Sequence, residues 1–415
     1  MPSFKIYTLG CKVNFYESES LKERLVDLGL EEKDDADFYF VNTCAVTNEA
    51  EKKDRKRVRE LARNHPSSKI IVMGCSSQIH PDSFKVLPNV ICVIGNQGKD
   101  KVEECLLNSS DIDVNPDFRH FVYEDTPISE GEYDYRAFVK IQDGCDNFCS
   151  YCLVPFARGN SRCRPKDSIL KEIERLLSKG TKEIVVSGID TGCYRDPSDP
   201  SYNLTSLLKD LISFEGCDYR IRVSSIEASQ IDDAYIQLFK DNQERLCPHF
   251  HIPLQSGCPK ILKRMNRKYD LDYFLSVLDK IRSAIDRPAI STDVILGFPG
   301  EEESDFEETL SFLEKAAFMR IHAFPYSERE KTAACGMHGK IEYKTRLQRT
   351  GKTIALGKRL ASAYEKSLSG KESRILVTQK KEEGVYFGYT ERYVERMVKG
   401  EDDSILGKFI LKDYD

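Results

Sequence analysis

Tryptophan is absent from this 415-residue chain, and so is any long apolar run. No stretch approaches the ~20 apolar residues that a helix needs to span a bilayer, so no membrane partner is expected. The first residues, Met1 to Tyr7, are too short and too polar for a secretory signal. The expectation is a soluble, cytoplasmic protein. Overall positive charge is missing too. The formal net charge is −6, so the surface as a whole does not advertise nucleic-acid binding, and local runs matter more. Cysteine, in contrast, is plentiful. Fourteen cysteines in a cytosolic chain point to metal or redox chemistry rather than a disulfide scaffold. The length suits two or three domains.

The densest cysteine cluster is a C-x3-C-x2-C run, Cys145, Cys149 and Cys152. Three thiolates in one loop can hold three irons of a [4Fe–4S] cluster, leaving the fourth iron open for chemistry. The spacing resembles the signature of radical S-adenosylmethionine (SAM) enzymes, in which the open iron chelates SAM. A zinc knuckle would need a fourth nearby Cys or His, and none sits at finger spacing.

Residues 1 to about 125 alternate strand-like and helix-like runs, which predicts a parallel sheet covered by helices. Cys11, Cys44 and Cys75 follow the first three of these strands, near Phe4–Leu9, Phe38–Val41 and Lys69–Met73. In an open α/β sheet, residues just past neighbouring carboxyl ends gather in one crevice. One reading makes each cysteine a small buried hydrophobe. The shared topological position favours a second metal cluster.

From about 135 to 330, six further strand–helix units predict a partial, TIM-like (βα)6 barrel. Its active-site face would lie at the carboxyl ends of the strands, where the Cys145 loop falls. Gly336 to Arg374 turns basic and helical, and short strands split by Gly384 and Gly400 then suggest a small β-barrel. A basic stretch feeding such a barrel suits an RNA backbone. A second basic run, Lys52 to Arg57, reads equally well as a solvated helix face. Cys92, Cys105, Cys163, Cys193, Cys217, Cys247, Cys258 and Cys335 have no matched partners in sequence and read as structural thiols.

Several segments together carry a resemblance. They are Leu9 to Asn14, Asn42 to Thr47, Met73 to Cys75, Gly144 to Cys152, Pro253 to Gly257 and Asp293 to Gly300, with a shorter match at Gly388 to Tyr393. Over essentially its whole length the chain resembles the methylthiotransferases. The resemblance implies an N-terminal auxiliary-cluster domain (1–125), a radical SAM barrel with its basic helix (131–368) and a C-terminal TRAM domain (369–415). It implies that Cys145, Cys149 and Cys152 hold the SAM-binding cluster, and that Cys11, Cys44 and Cys75 hold an auxiliary [4Fe–4S] cluster. Tyr151 would face the adenine of SAM. Gly188, Ser224, Ser225 and Gln255 are candidate SAM or substrate contacts. Among the family's branches the chain is most similar to the one acting on N6-threonylcarbamoyladenosine of tRNA. Sister branches act on N6-isopentenyladenosine or on a ribosomal-protein aspartate. The threonylcarbamoyl group carries a carboxylate, and Arg158, Arg162 and Arg164 are candidate cations for it.

Replacing an aromatic C–H by C–S–CH3 needs a radical route. SAM cleaved by one electron would supply a 5′-deoxyadenosyl radical, and the auxiliary cluster would supply methylated sulfur. The protein would position these groups and exclude water. The implied partners are a tRNA anticodon stem-loop, whose base must leave its stack, a low-potential electron donor and a source of sulfur. A non-catalytic zinc- and RNA-binding protein is the alternative of another class.

Overall fold

The computed structural model describes residues 1–108, 114–129 and 135–414. The domain boundary expected at residue 131 lies outside them. The chain divides into two compact units. Unit 1 combines Met1–Ser129, Lys140–Ser168 and Ser327–Cys335, and unit 2 combines Glu130–Val139, Ile169–Tyr326 and Gly336–Asp415. The Cys145 loop packs with the N-terminal sheet, and the C-terminal sheet packs with the barrel.

Unit 1 is built on a five-stranded parallel sheet in the order Glu31–Glu32, Ser3–Thr8, Phe38–Thr43, Lys69–Gly74, Val90–Val93. Its central strands are buried on both faces, as a parallel sheet requires. Tyr39, Val41, Ile70 and Val72 pack on one side, and Phe40, Ile71 and Met73 on the other. The strand order reverses between Ser3–Thr8 and Phe38–Thr43. Such a switch point opens a crevice at the carboxyl ends, and Cys11 and Cys44 flank it.

One expectation about the spare cysteines is corrected here. Cys92, in Val90–Val93, and Cys105, in the helix Val102–Asn108, form a disulfide rather than two unpaired thiols. Both are buried in one apolar cluster under the sheet. The helix folds back onto its own strand, which their spacing in sequence does not reveal.

Unit 2 contains the six expected parallel strands in two pieces. One is Arg136–Lys140, Glu183–Ser187 and Arg220–Val223; the other is His249–His251, Ala289–Leu296 and Arg320–Pro325. Each piece keeps sequence neighbours adjacent in space, as βαβ units demand. The helix Leu271–Ala284 shows why the helices lie where they do. Phe274, Val277, Leu278 and Ile281 recur at helical spacing and are buried, and Asp270 caps the first turn by accepting from Tyr273 N–H.

The C-terminal strands form a four-stranded antiparallel sheet in the order Glu395–Lys399, Val385–Tyr389, Glu372–Glu382, Phe409–Asp413. A buried ionic cluster fixes it to the barrel. Glu183 accepts from Arg136, Arg220 (2.6 Å) and Arg222 (3.0 Å). Arg220 also donates to the carbonyls of Arg374 and Tyr389, and Arg222 to those of Thr390 and Glu391. The Tyr393 ring lies under Arg222, 4.5 Å from its guanidinium carbon.

The basic stretch is less available than its composition suggests. In the helix Tyr343–Ser367, Arg349 pairs with Glu301 and Glu303, and Arg359 with Glu314. Beyond it Lys371 pairs with Asp286 and Arg374 with Asp218. Acids of the barrel thus neutralise much of this run. Among the described residues no helix is long and apolar enough to cross a membrane.

Candidate active site

Three glycine- or threonine-led turns deliver the first trio of thiols. Thr43 ends its strand with Oγ1 donating to Met73 O and accepting from the backbone of Ser76 and Ser77. This ties the Cys44 turn to the Cys75 turn. Gly74 has φ +106°, and a Cβ there would meet Asn42 Oδ1 at 2.5 Å and Thr43 O at 2.7 Å. Only glycine makes that turn into Cys75 without strain. A Cβ on Gly10 would stand 3.1 Å from Cys44 Sγ, so the chain just before Cys11 runs against Cys44. The three cysteines anticipated at strand ends therefore converge.

Their electrostatics follow from that closeness. Burial pushes the Cys44 thiol up to about 12, and Cys75 and Cys11 add to the rise. Burial also raises Cys11; Arg158 opposes this and Cys75 reinforces it. Three thiolates here repel one another unless positive charge joins them. Asn96 Nδ2 lies 3.3 Å from Cys75 Sγ and donates to Ala157 O at 2.7 Å. Cys44 N–H donates to Asp54 Oδ2 at 3.0 Å. Burial pushes the Asp54 carboxyl up to about 7 despite that bond.

Beside the trio lies a second buried ionic cluster. Arg158 Nη1 is 3.0 Å from both Glu17 Oε1 and Asp143 Oδ1, and Arg158 Nη2 donates to Asn14 Oδ1. Lys99 and Lys140 also pair with Glu17, and Arg162 with Asp143. Burial alone would raise the Glu17 carboxyl, yet Arg158, Lys99 and Lys140 hold it well below the usual range. Four cations thus surround two carboxylates. Burial works against the Arg158 charge, but Cys75, Glu17, Asp143 and Cys11 more than restore it. Three convergent thiols next to surplus positive charge fit an anionic iron–sulfur group.

The second trio belongs to the same unit. Cys145, Cys149 and Cys152 are half-buried thiols in one loop. Cys145 N–H donates to Gly159 O at 3.0 Å, and Cys152 N–H to Cys149 O at 2.9 Å. The loop feeds the helix Val154–Arg158. An apolar cluster of Ala45, Cys75, Ile79, Leu153 and Ala157 joins the two cysteine-bearing segments. A further strap comes from Ser327–Cys335. Arg329 pairs with Glu51, Asn48 Nδ2 donates to Glu328 O, and Ala334 N–H donates to Ser150 O.

The three arginines expected to meet a substrate carboxylate are placed otherwise. Arg158 is 1% exposed and Arg164 is fully buried. Arg164 pairs with Asp125 and donates to Tyr16 OH and Ser168 Oγ. Arg162 serves Asp143 and the carbonyls of Val122 and Asn160. Internal acids use these cations, so their work is positioning. Sequence reasoning missed Asn14, Glu17 and Asn96. Glu17 and Asn14 sit in the helix Lys12–Asp27, where Ser18, Glu19 and Ser20 are buried as well.

Tyr151 is half-buried in the unit 1 loop. In unit 2, Gly188, Ser224, Ser225 and Gln255 all lie just past strand carboxyl ends. Ser224 Oγ is 3.4 Å from Thr191 Oγ1. Gln255 adopts φ +70° and is held between Asp293 O and Ile295 N–H. Backbone bonds on both sides keep this residue in a sparsely populated region.

Residues 139–313 match the family model of the radical SAM superfamily, and residues 3–95 that of uncharacterized protein family UPF0004. Two curated relatives carry the name threonylcarbamoyladenosine tRNA methylthiotransferase MtaB. The one from Bacillus subtilis is 37% identical, covering 99% of this chain and 93% of its own length. The one from Thermotoga maritima is 38% identical, covering 96% and 92%. The chain belongs to the radical SAM methylthiotransferase family.

The methylthiotransferase is also 34% identical to a tRNA-2-methylthio-N(6)-dimethylallyladenosine synthase from Thermodesulfovibrio yellowstonii, over 98% of this chain and 94% of the relative. In fold it is similar to the radical SAM methyltransferase TsrM from Kitasatospora setae. That match has a TM-score of 0.57 at 13% identity, covering 78% of this chain and 75% of the other.

Proposed function

We propose that this methylthiotransferase places a methylthio group on C2 of N6-threonylcarbamoyladenosine in the anticodon loop of tRNA. It would use SAM and two [4Fe–4S] clusters. Cys145, Cys149 and Cys152 would hold one cluster, and Cys11, Cys44 and Cys75 the other. Bound there, the groups supply one-electron cleavage of SAM and a transferable sulfur. The rest falls to the chain's own residues. Arg158 offsets negative charge at Cys11 and Cys75, Asn96 directs an N–H at Cys75, and the Ser327–Cys335 strap holds the Cys145 loop. Tyr151 of unit 1 is read as a SAM contact, and Gly188, Ser224, Ser225 and Gln255 of unit 2 are read as candidate SAM or substrate contacts. The C-terminal sheet is read as a TRAM domain gripping RNA. The setting would be the cytoplasm, with a low-potential electron donor and a sulfur source as partners.

The observation that carries this reading is the convergence of three strand-end thiols beside surplus buried positive charge. Names of relatives at 37% and 38% identity support the threonylcarbamoyl substrate. The relative named for dimethylallyladenosine favours a second reading. Both are tested by anaerobic reconstitution, iron and sulfide analysis, and reaction with SAM. The substrates are tRNAs bearing threonylcarbamoyl-, dimethylallyl- or unmodified adenosine, with nucleosides read by mass spectrometry. Two clusters per chain and methylthiolation of the threonylcarbamoyl tRNA are expected. Stoichiometric zinc in place of iron sinks the enzyme reading, and product from only the dimethylallyl tRNA transfers the substrate assignment.

A further inference from the structure

The basic run of the first unit has no part in the assignments above. The helix Asn48–Asn64 begins just past Cys44 and carries seven Lys or Arg against four Asp or Glu. Its two faces separate these charges. Glu51 and Asp54 are buried with Val58, Leu61 and Ala62. Glu51 pairs with Arg329, and Asp54 accepts from Cys44 N–H. Lys52, Lys53, Lys56, Arg57, Arg59 and Arg63 are exposed. Of these, Lys52, Lys56, Arg59 and Arg63 recur at i, i+4, i+7 and i+11. They therefore line one side of the helix over ~16 Å. Few acids remain outside. Glu49 pairs with Lys52 at 2.9 Å, and Glu60 stands 3.7 Å from both Lys56 and Arg57. Exposed pairs of this kind hold weakly and give way to a stronger anion. Arg57 lies over the Tyr7 ring, and past the helix Asp35 is taken by His65. Among the described residues no acid pairs with Arg59 or Arg63.

A straight row of ammonium and guanidinium groups suits a polyanion whose charges repeat along a line. A protein partner asks for more, because the centre of such an interface is rich in aromatic and apolar side chains. Every exposed residue of this helix is polar. Nor is the row the general character of the surface. The chain carries a net charge of −6, and acids elsewhere in the chain neutralise much of the run from 340 to 374. We propose that Lys52, Lys56, Arg59 and Arg63 bind the phosphate backbone of the anticodon arm of the substrate RNA. The row leads away from the turn that carries Cys44, and Asp54 ties the helix to that turn from its inner face. Backbone contacts of this kind supply affinity and register without reading bases. The inference rests on the tRNA reading above. It adds a contact on the first unit to the C-terminal sheet read as gripping RNA.

The test uses the full-length reconstituted enzyme and an anticodon stem-loop RNA carrying threonylcarbamoyladenosine. Kd is read by fluorescence anisotropy between about 50 and 200 mM salt, where phosphate contacts weaken steeply. In the variant Lys52→Gln/Lys56→Gln/Arg59→Gln/Arg63→Gln, the slope of log K against log salt should be shallower by about 3. Kd at the low-salt end should rise by more than about 10-fold. KM for the RNA should rise while kcat at saturating RNA holds, and iron per chain should not change. Lys52→Gln/Lys56→Gln and Arg59→Gln/Arg63→Gln should each give about half the change in slope. A control removes the same charge from exposed lysines of unit 2, as Lys179→Gln/Lys209→Gln/Lys240→Gln/Lys315→Gln, and should keep the wild-type slope. An unchanged slope in the first variant, or an equal loss in the control, overturns the row as an RNA site while leaving the substrate reading standing. An unchanged slope with slower turnover driven by an acidic flavoprotein, and normal turnover driven by dithionite, also overturns it and gives the row to a protein partner. Wild-type enzyme that fails to bind the stem-loop overturns both readings.

Discussion

The two buried ionic clusters make an instructive pair. In unit 2 one carboxylate, Glu183, meets three guanidiniums. In unit 1 two carboxylates, Glu17 and Asp143, meet four cations. Both hold more positive than negative charge, and both are cut off from water. They differ in what absorbs the excess. In unit 2 it goes to backbone carbonyls of residues 374 and 389–391 and to the face of Tyr393. In unit 1 it is directed at Cys11 and Cys75. Buried positive charge alone therefore does not mark a reactive centre. What distinguishes one is an excess whose partners are ionisable sulfurs.

The comparison can be broken most severely at Arg158. Arg158→Met should remove about half of the iron, the share of one of two four-iron clusters, and abolish methylthiolation. Iron and sulfide analysis of the folded protein checks this, and full occupancy of both clusters would falsify the charge-balancing role. The matching change in unit 2 should act on stability instead. Glu183→Gln leaves three buried guanidiniums without a carboxylate, at a cost of about 3–5 kcal/mol in denaturant unfolding. Iron per folded chain should not change.

The same residue sets a pH dependence. Burial would raise the Glu183 carboxyl, but Arg136, Arg222 and Arg220 hold it well below the usual range. Its stabilisation is therefore complete above the unfolded value of about 4.3 and is lost as pH falls below it. Glu183→Gln should flatten the acid limb of the stability profile, and an unchanged slope would count against the assignment. The smallest effect is expected at Asn96. Asn96→Ala removes an N–H aimed at Cys75 and should weaken retention of the auxiliary cluster proposed there by about 10-fold in chelator competition.

How much of this was visible in the chain itself follows the range of the interactions. Strand periodicity anticipated six strand–helix units between about 135 and 330, and six barrel strands lie there. Cysteines at successive strand ends foretold their convergence because sheet topology alone brings them together. The ionic clusters were not legible. Arg158 meets Glu17 across 141 residues, and nothing local marks either as buried. The helix Lys12–Asp27 misleads most, since Asn14, Glu17, Ser18, Glu19 and Ser20 are all interior. Polarity there reflects a buried network rather than solvent. The basic run from 340 to 374 misled in the opposite direction, because its counter-charges, Asp218, Asp286, Glu301, Glu303 and Glu314, lie far away in sequence.

The strap Ser327–Cys335 has a consequence for how the protein is made. Arg329 and Ala334 complete the first unit only after the barrel strands have been synthesised. At about 5–20 residues per second, the nascent N-terminal sheet waits roughly 12–48 s before this last piece emerges from the ribosome. During that interval the loop bearing Cys145 lacks its final brace. If the Cys145 loop holds a cluster as proposed, its loading is a late event in the life of each new polypeptide, and a chain stalled before residue 327 should emerge without a stable cluster there.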